Sequence, residues 1–340
     1  MSQAERYRAA GVDLEAAEAA KLKIAELVAS TRTPFTRGAI GAFGGMVRVP
    51  EDLESPVLVC STDSVGTKVL VSIRADRHDT VGEDLVNHSV NDVLVHAARP
   101  LAFLDYVAVA GVTTDVIAAL VEGVARGCRR HTMALIGGET AQLPELYRPG
   151  HYDLAGTIVG VVDERAGLHG SDVRPGDVVI GCASSGLHTN GYTLARRIVF
   201  HDLGLDIDDH VPDLGRTVGD ELLEVHRSYW EALAPVLRDV HALAHVTGGG
   251  IAGNLVRVLP EGCAARIERE RWDVPPIFRW LQASGGVTTD EMYDVFNMGI
   301  GMIAVVPSTG VDALRASCRG VGVDTWVIGE IEVGAGVRLV

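Results

Sequence analysis

Four short apolar runs in this chain each break off into a turn that carries glycine. PVLVC leads into STDSVGTK (61–68), MALI into GGET (137–140), VVIGCA into SSGLHTNGY (184–192), and ALAHV into TGGG (247–250). Clustered glycine marks places where backbone must approach something closely or take a positive φ. The apolar runs read as strands, and helical spacing fills the stretches between them. GLHGSDVRPGD (167–177), with three glycines and a proline, separates the first two runs from the last two and reads as a linker. The chain is therefore expected to form two domains, residues 1–166 and 175–340. Each mixes strands and helices without strict alternation, which argues for an α/β fold of the α+β kind and against one doubly wound sheet.

The apolar spacing predicts helices over 13–30, 81–98, 114–130, 219–238, 251–258, 275–283, 290–296 and 310–320. It predicts strands over 56–63, 101–110, 133–136, 153–162, 177–183, 241–246, 299–306 and 323–333. TPFTRGAIGAFGG (33–45) has four glycines and no periodicity, and reads as a mobile loop.

A net charge of −15 argues against nucleic acid as a partner, because that needs basic patches. No apolar run approaches the roughly 20 residues that span a bilayer, so no membrane partner is expected. The segment MSQAERYRAAG lacks the apolar core of a signal peptide, and a cytoplasmic location is expected. The five cysteines stand singly, which supports neither a disulfide framework nor a structural zinc site.

Neither GxxxxGK[ST] nor a GxGxxG after the first strand is present, so a P-loop and a dinucleotide-binding fold are both disfavoured. The first half instead carries carboxylates at or within strands and helices: Asp63, Asp92, Asp105 and Glu139. Such oxygen ligands suit Mg²⁺, which takes one or two carboxylates and completes its shell from phosphates. The plainer alternative is a turn cap at Asp63, a solvent-facing Asp92 and a loop charge at Glu139. Asp105 lies inside an apolar strand and needs a partner. Lys68 is one of only three lysines; it would be a point charge on a phosphate or a surface residue. Gly137 and Gly138 would offer backbone N–H groups to an anion, or form a tight turn. In the second half His188 and Asn190 flank a turn before a helix, and Gly248–Gly250 precede another; a phosphate is the ligand such a loop suits best. His188 and His245 can equally be structural.

Taken together, YRAAGVD (7–13), STDSVGTK, RHDTVGEDLV (77–86), ND (91–92), FLDY (103–106), IGGETA (136–141), DLAG (153–156), SSGLHTNGY, HVTGGGIAGN (245–254) and EMYDVFNMGIGM (291–302) resemble the phosphoribosylformylglycinamidine cyclo-ligase, or aminoimidazole ribonucleotide synthetase, family. The strings follow in order over nearly the whole chain. The resemblance implies two α/β domains, an N-terminal sheet that joins its copy in a barrel across a homodimer, and ATP with Mg²⁺ as co-substrate. It implies ATP-dependent ring closure of formylglycinamidine ribonucleotide to 5-aminoimidazole ribonucleotide, with release of ADP and phosphate.

On this resemblance Asp63, Asp92 and Glu139 would hold the metal. Lys68 would contact the nucleotide phosphates and count among the catalytic groups. Gly41, Gly44, Gly45, Gly137, Gly138 and Thr140 would complete the ATP site. His188 and Asn190 would orient the formyl-amidine group, with His188 moving a proton, and Thr247 with Gly248, Gly249 and Gly250 would hold the ribose 5′-phosphate. Two positions depart from the family pattern: Ser64 stands where glycine is common, and Ala25 where some relatives carry lysine. The alternative is a non-catalytic or differently specific nucleotide-binding relative, of the selenophosphate synthetase or thiamine-monophosphate kinase kind.

Overall fold

The computed structural model describes residues 14–38 and 42–340. Its chain divides into two compact units. One runs to Val90 and takes in Arg99–Val161; the other holds Asn91–Ala98 and Val162–Val340.

The first unit is built on a four-stranded sheet. Its strands are β3 (Pro56–Ser64), β4 (Arg99–Ala110), β5 (Ala134–Gln142) and β6 (His151–Asp163), in the order β3-β6-β4-β5. β4 runs antiparallel to β6 and parallel to β5. Parallel neighbours need a crossover, and the helix Thr114–Arg130 supplies it. That helix starts where the Thr113 hydroxyl accepts the Val116 N–H, and it buries Leu120, Val121, Val124 and Cys128. β1 (Thr36–Arg37) pairs with β2 (Met46–Val47), so the ends of the expected 33–45 loop are tied together. Gly41 lies outside the described residues.

The second unit holds a six-stranded sheet. β7 (Val178–Ala183), β10 (Ala242–His245), β11 (Cys263–Ile267), β12 (Ile300–Val306), β13 (Thr325–Val333) and β14 (Gly336–Leu339) lie in the order β10-β12-β7-β13-β11-β14, while β8 (His210–Val211) and β9 (Arg216–Thr217) pair separately. Every residue of β12 is buried. Ile180, Cys182, Tyr229, Leu243, Met302 and Leu314 form part of the core beside it.

Two predicted elements come out differently. The strand predicted over 133–136 does not stop at GGET: β5 runs to Gln142, and Gly137–Gln142 pair in register with Leu104–Val109. The peptide groups of Gly137 and Gly138 therefore belong to an edge strand rather than to a turn. The helix predicted over 219–238 is broken into Val218–Leu222, Trp230–Leu233 and a 3₁₀ stretch Ala234–Asp239. Side chains take the backbone groups that a helix would have paired. Tyr192 donates to the Leu222 carbonyl, Ser185 to that of Val225 and Asn91 to that of Arg227, while the Asn91 carbonyl accepts the Tyr229 N–H. Among the described residues no helix is long and apolar enough to cross a membrane.

Candidate active site

In the first unit STDSVGTK ends β3 and enters a 3₁₀ turn, Gly66–Lys68, followed by the helix Val69–Arg74. Gly66 takes the positive φ of this turn, at +69°, and Ser64 does not. The backbone at position 64 therefore does not require glycine. The Asp63 carboxylate bonds the Ser64 N–H and lies 2.6 Å from His88 Nε2. His88, on the helix Asp79–Leu94, carried no sequence signal of its own.

Lys68 lies inside the unit. It is fully buried, and its Nζ lies 2.8 Å from the equally buried Asp84 carboxylate. The turn that was expected to aim an ammonium at phosphate points it into the unit instead, where the helix Asp79–Leu94 presents the counter-charge. A desolvated ion pair of this kind is costly to separate, so Lys68 and Asp84 hold one another in this structure.

Gly44 has open space around it, whereas a Cβ on Gly45 would lie 2.4 Å from the Ile136 carbonyl. The glycine loop thus rests on the backbone of β5 just before GGET. Gly138, Glu139 and Thr140 are exposed along this strand.

Gly138 also explains Asp105. The two are paired across β4 and β5, and a Cβ on Gly138 would meet Asp105 Oδ1 at 1.9 Å. The carboxyl fills the space that glycine leaves. Burial pushes the Asp105 carboxyl up from 3.8 to about 7. A raised carboxyl pKa in the folded state means that the folded chain holds a proton the unfolded chain has released. Stability contributed at Asp105 is therefore full below about pH 4 and declines as pH rises toward about 7. Asp105→Asn is expected to flatten that decline. Urea unfolding of both proteins at a series of pH values checks it; parallel curves would dismiss the effect.

In the second unit Asp92 Oδ1 lies 2.9 Å from His245 Nδ1. His245 Nε2 lies 3.1 Å from His226 Nε2, and the His226 ring stacks on His188 with centroids 3.9 Å apart. Asn91, oriented by its bonds to the backbone of Arg227 and Tyr229, turns its remaining amide hydrogen toward His226 Nε2 at 3.2 Å. That nitrogen therefore accepts. His226 lies in a stretch that apolar periodicity marked only as helix, and the sequence reading missed it.

His188 occupies a left-handed conformation, φ +61°, and its ring is 1% exposed. The Ser185 N–H donates to His188 Nε2 at 3.2 Å. Gly301 makes room for the ring: a Cβ there would lie 2.3 Å from His188 Cε1. The His188 ring is tucked beneath the turn, with Nε2 accepting. Asn190 is half-buried, and its Nδ2 is buried without a hydrogen-bond partner. Its Oδ1 stands 3.7 Å from where a Gly248 Cβ would be. SGLHTNG and TGGG, far apart in sequence, thus meet at Asn190.

Gly248 and Gly249 are exposed; Gly249 and Gly250 have φ of +92° and +61°. A Cβ on Gly250 would lie 1.8 Å from the Tyr293 carbonyl, so no other residue fits. Sequence and geometry together place the substrate-side candidates Asn190, Thr247, Gly248 and Gly249 on one surface, with His188 supporting it from within.

Residues 44–162 match the family model described as AIR synthase related protein, N-terminal domain, and residues 174–340 match that of its C-terminal domain. The phosphoribosylformylglycinamidine cyclo-ligase of Desulfatibacillum aliphaticivorans is 46% identical over 97% of this chain and 96% of its own. That of Trichlorobacter lovleyi is 46% identical over 96% of this chain and 94% of its own. The crystal structure of thiamine-monophosphate kinase from Stenotrophomonas maltophilia shares the fold with a TM-score of 0.69 at 20% identity, over 92% of this chain and 94% of that one. With its two halves matching both domain models, and nearly its whole length matching these relatives, the chain belongs to the phosphoribosylformylglycinamidine cyclo-ligase family.

Proposed function

We propose that this chain catalyses the ATP-dependent closure of formylglycinamidine ribonucleotide to 5-aminoimidazole ribonucleotide, releasing ADP and phosphate. Near-full-length identity of 46% to named cyclo-ligases carries the reading. The meeting of Asn190 with the TGGG loop supports it, because a phosphorylated substrate needs both a polar handle and an anion seat.

The formamide oxygen attacks the γ-phosphorus and ADP departs. The oxygen, now phosphorylated, becomes a good leaving group. The amidine-side nitrogen then bonds to the formyl carbon, the C–O bond breaks, phosphate leaves, and the nitrogen sheds a proton. Catalysis of phosphoryl transfer is mostly positioning and charge neutralisation.

In this reading Gly248 and Gly249 seat the ribose 5′-phosphate, and Asn190 donates from Nδ2 to the formyl-amidine group. His188 acts through the turn: it holds the Ser185 N–H, and so sets where Asn190 stands. The exposed edge at Gly138, Glu139 and Thr140, with the loop at Gly44 and Gly45, faces the nucleotide. Asp63, Asp92 and Glu139 are carboxylates of the hard-oxygen type that Mg²⁺ takes, and each keeps some solvent exposure. When bound with ATP, Mg²⁺ would neutralise charge on the β- and γ-phosphates.

The test is ADP release by the purified protein with Mg²⁺-ATP, with and without formylglycinamidine ribonucleotide, while aminoimidazole is followed in the same tube. ADP and aminoimidazole rising together at one-to-one supports the reading. ATP hydrolysis indifferent to that substrate sinks it, and favours a relative of other specificity.

We also propose that the chain acts as a homodimer through the sheet of its first unit. Leu58 on β3 and Tyr106 on β4 are exposed, and large apolar side chains on a sheet face invite a partner. Sedimentation equilibrium is expected to give twice the chain mass of 36.1 kDa. Leu58→Lys is expected to shift it to the monomer; a wild-type monomer at micromolar concentration would end the proposal.

A further inference from the structure

The TGGG loop owes its shape to one buried side chain. Asn254, 3% exposed, sits beneath it on the helix Gly250–Leu255. Its Nδ2 lies 2.8 Å from the Gly250 carbonyl, 3.3 Å from that of Gly248 and 3.4 Å from that of Thr247. Its Oδ1 accepts the Thr247 hydroxyl at 3.2 Å and Arg257 Nη1 at 3.4 Å. The amide orientation is unambiguous, since three acceptors surround one end and two donors the other.

We propose that Asn254 is the positioning residue of the substrate's phosphate seat. It gathers the loop's carbonyl oxygens inward. An anion bound on the exposed side of Gly248 and Gly249 therefore meets fewer of their negative ends. It also brings the exposed Arg257 guanidinium to the same loop. In a chain of net charge −15 such local arrangement matters, because the overall field repels a phosphate monoester. The inference rests on the reading that this loop holds the ribose 5′-phosphate.

The experiment compares Asn254→Ala, Asn254→Asp and Thr247→Val with wild type in steady-state kinetics, alongside thermal melting. Removing a donor from buried carbonyls typically costs enough for about a tenfold effect or more. Asn254→Ala is expected to raise KM for formylglycinamidine ribonucleotide roughly tenfold, with KM for ATP and kcat changed by less than about twofold. Asn254→Asp is expected to be worse than alanine, because its carboxylate would face the three carbonyl oxygens. Thr247→Val, which removes only the hydroxyl that Oδ1 accepts, is expected to shift the same KM by a few-fold and keeps the test open if an Asn254 variant fails to fold. Equal rises in both KM values, or an aspartate variant no worse than alanine, overturn the role of Asn254. Inhibition of wild type by ribose 5-phosphate tests the underlying reading separately. Competition with the nucleotide substrate upholds the phosphate seat, and failure to compete removes it whatever the variants do.

Discussion

Lys68→Met is expected to lower the free energy of unfolding by about 3–5 kcal/mol, because it removes the counter-charge of the buried Asp84 carboxylate. The midpoint in urea falls accordingly, and loss of activity follows loss of folded protein. Lys68→Met combined with Asp84→Leu is expected to recover most of that stability, since a buried ion pair replaced by packed apolar groups is often neutral. The pair is fully buried on both sides, with 2.8 Å between charged atoms. A different outcome would restore the phosphate reading: Lys68→Met as stable as wild type, with KM for ATP raised strongly. The two readings predict opposite behaviour of the double variant. Removing Asp84 does nothing for a lysine whose work is on a nucleotide.

The second large effect is expected at His188. His188→Ala should lower kcat by about 100-fold, the order of loss that follows misplacement of a group that positions substrate. His188→Asn should recover at least tenfold of this. Asparagine tolerates the left-handed conformation better than most residues, and its side-chain oxygen can accept the Ser185 N–H. A proton-transfer role predicts no such rescue, for asparagine carries no titratable group. Asparagine as inactive as alanine, with ATP binding retained in both, would return His188 to the chemistry. Steady-state kinetics with each variant, checked for folding by melting, decides between them.

The carrying motifs were legible because each is a local event. Apolar runs of strand length ending in glycine are visible without knowing what they pack against, and so the strands leading into STDSVGTK, SSGLHTNGY and TGGG lie where the sequence points. The positive φ at Gly249 and Gly250, and the close approach to Tyr293, are the physical demand behind glycines that periodicity alone could only flag. Membership of the family was legible for the same reason: the strings are short, ordered and tied to turns.

What the sequence by itself determined was which peptide segments must be strands, which turns need glycine, and which side chains carry charge or protons. Only the tertiary structure decided their partners. Lys68 and Asp84 are separate polar residues on paper, and burial makes them one ion pair. The helical pattern over 219–238 is real as local propensity. It loses to Asn91, Tyr192 and Ser185, which take its backbone groups from elsewhere in the chain. GGET reads as a turn, yet the ladder offered by β4 makes it strand. In each case a long-range contact outbids a local preference worth a few tenths to about 1 kcal/mol per residue, and only the fold brings such contacts together.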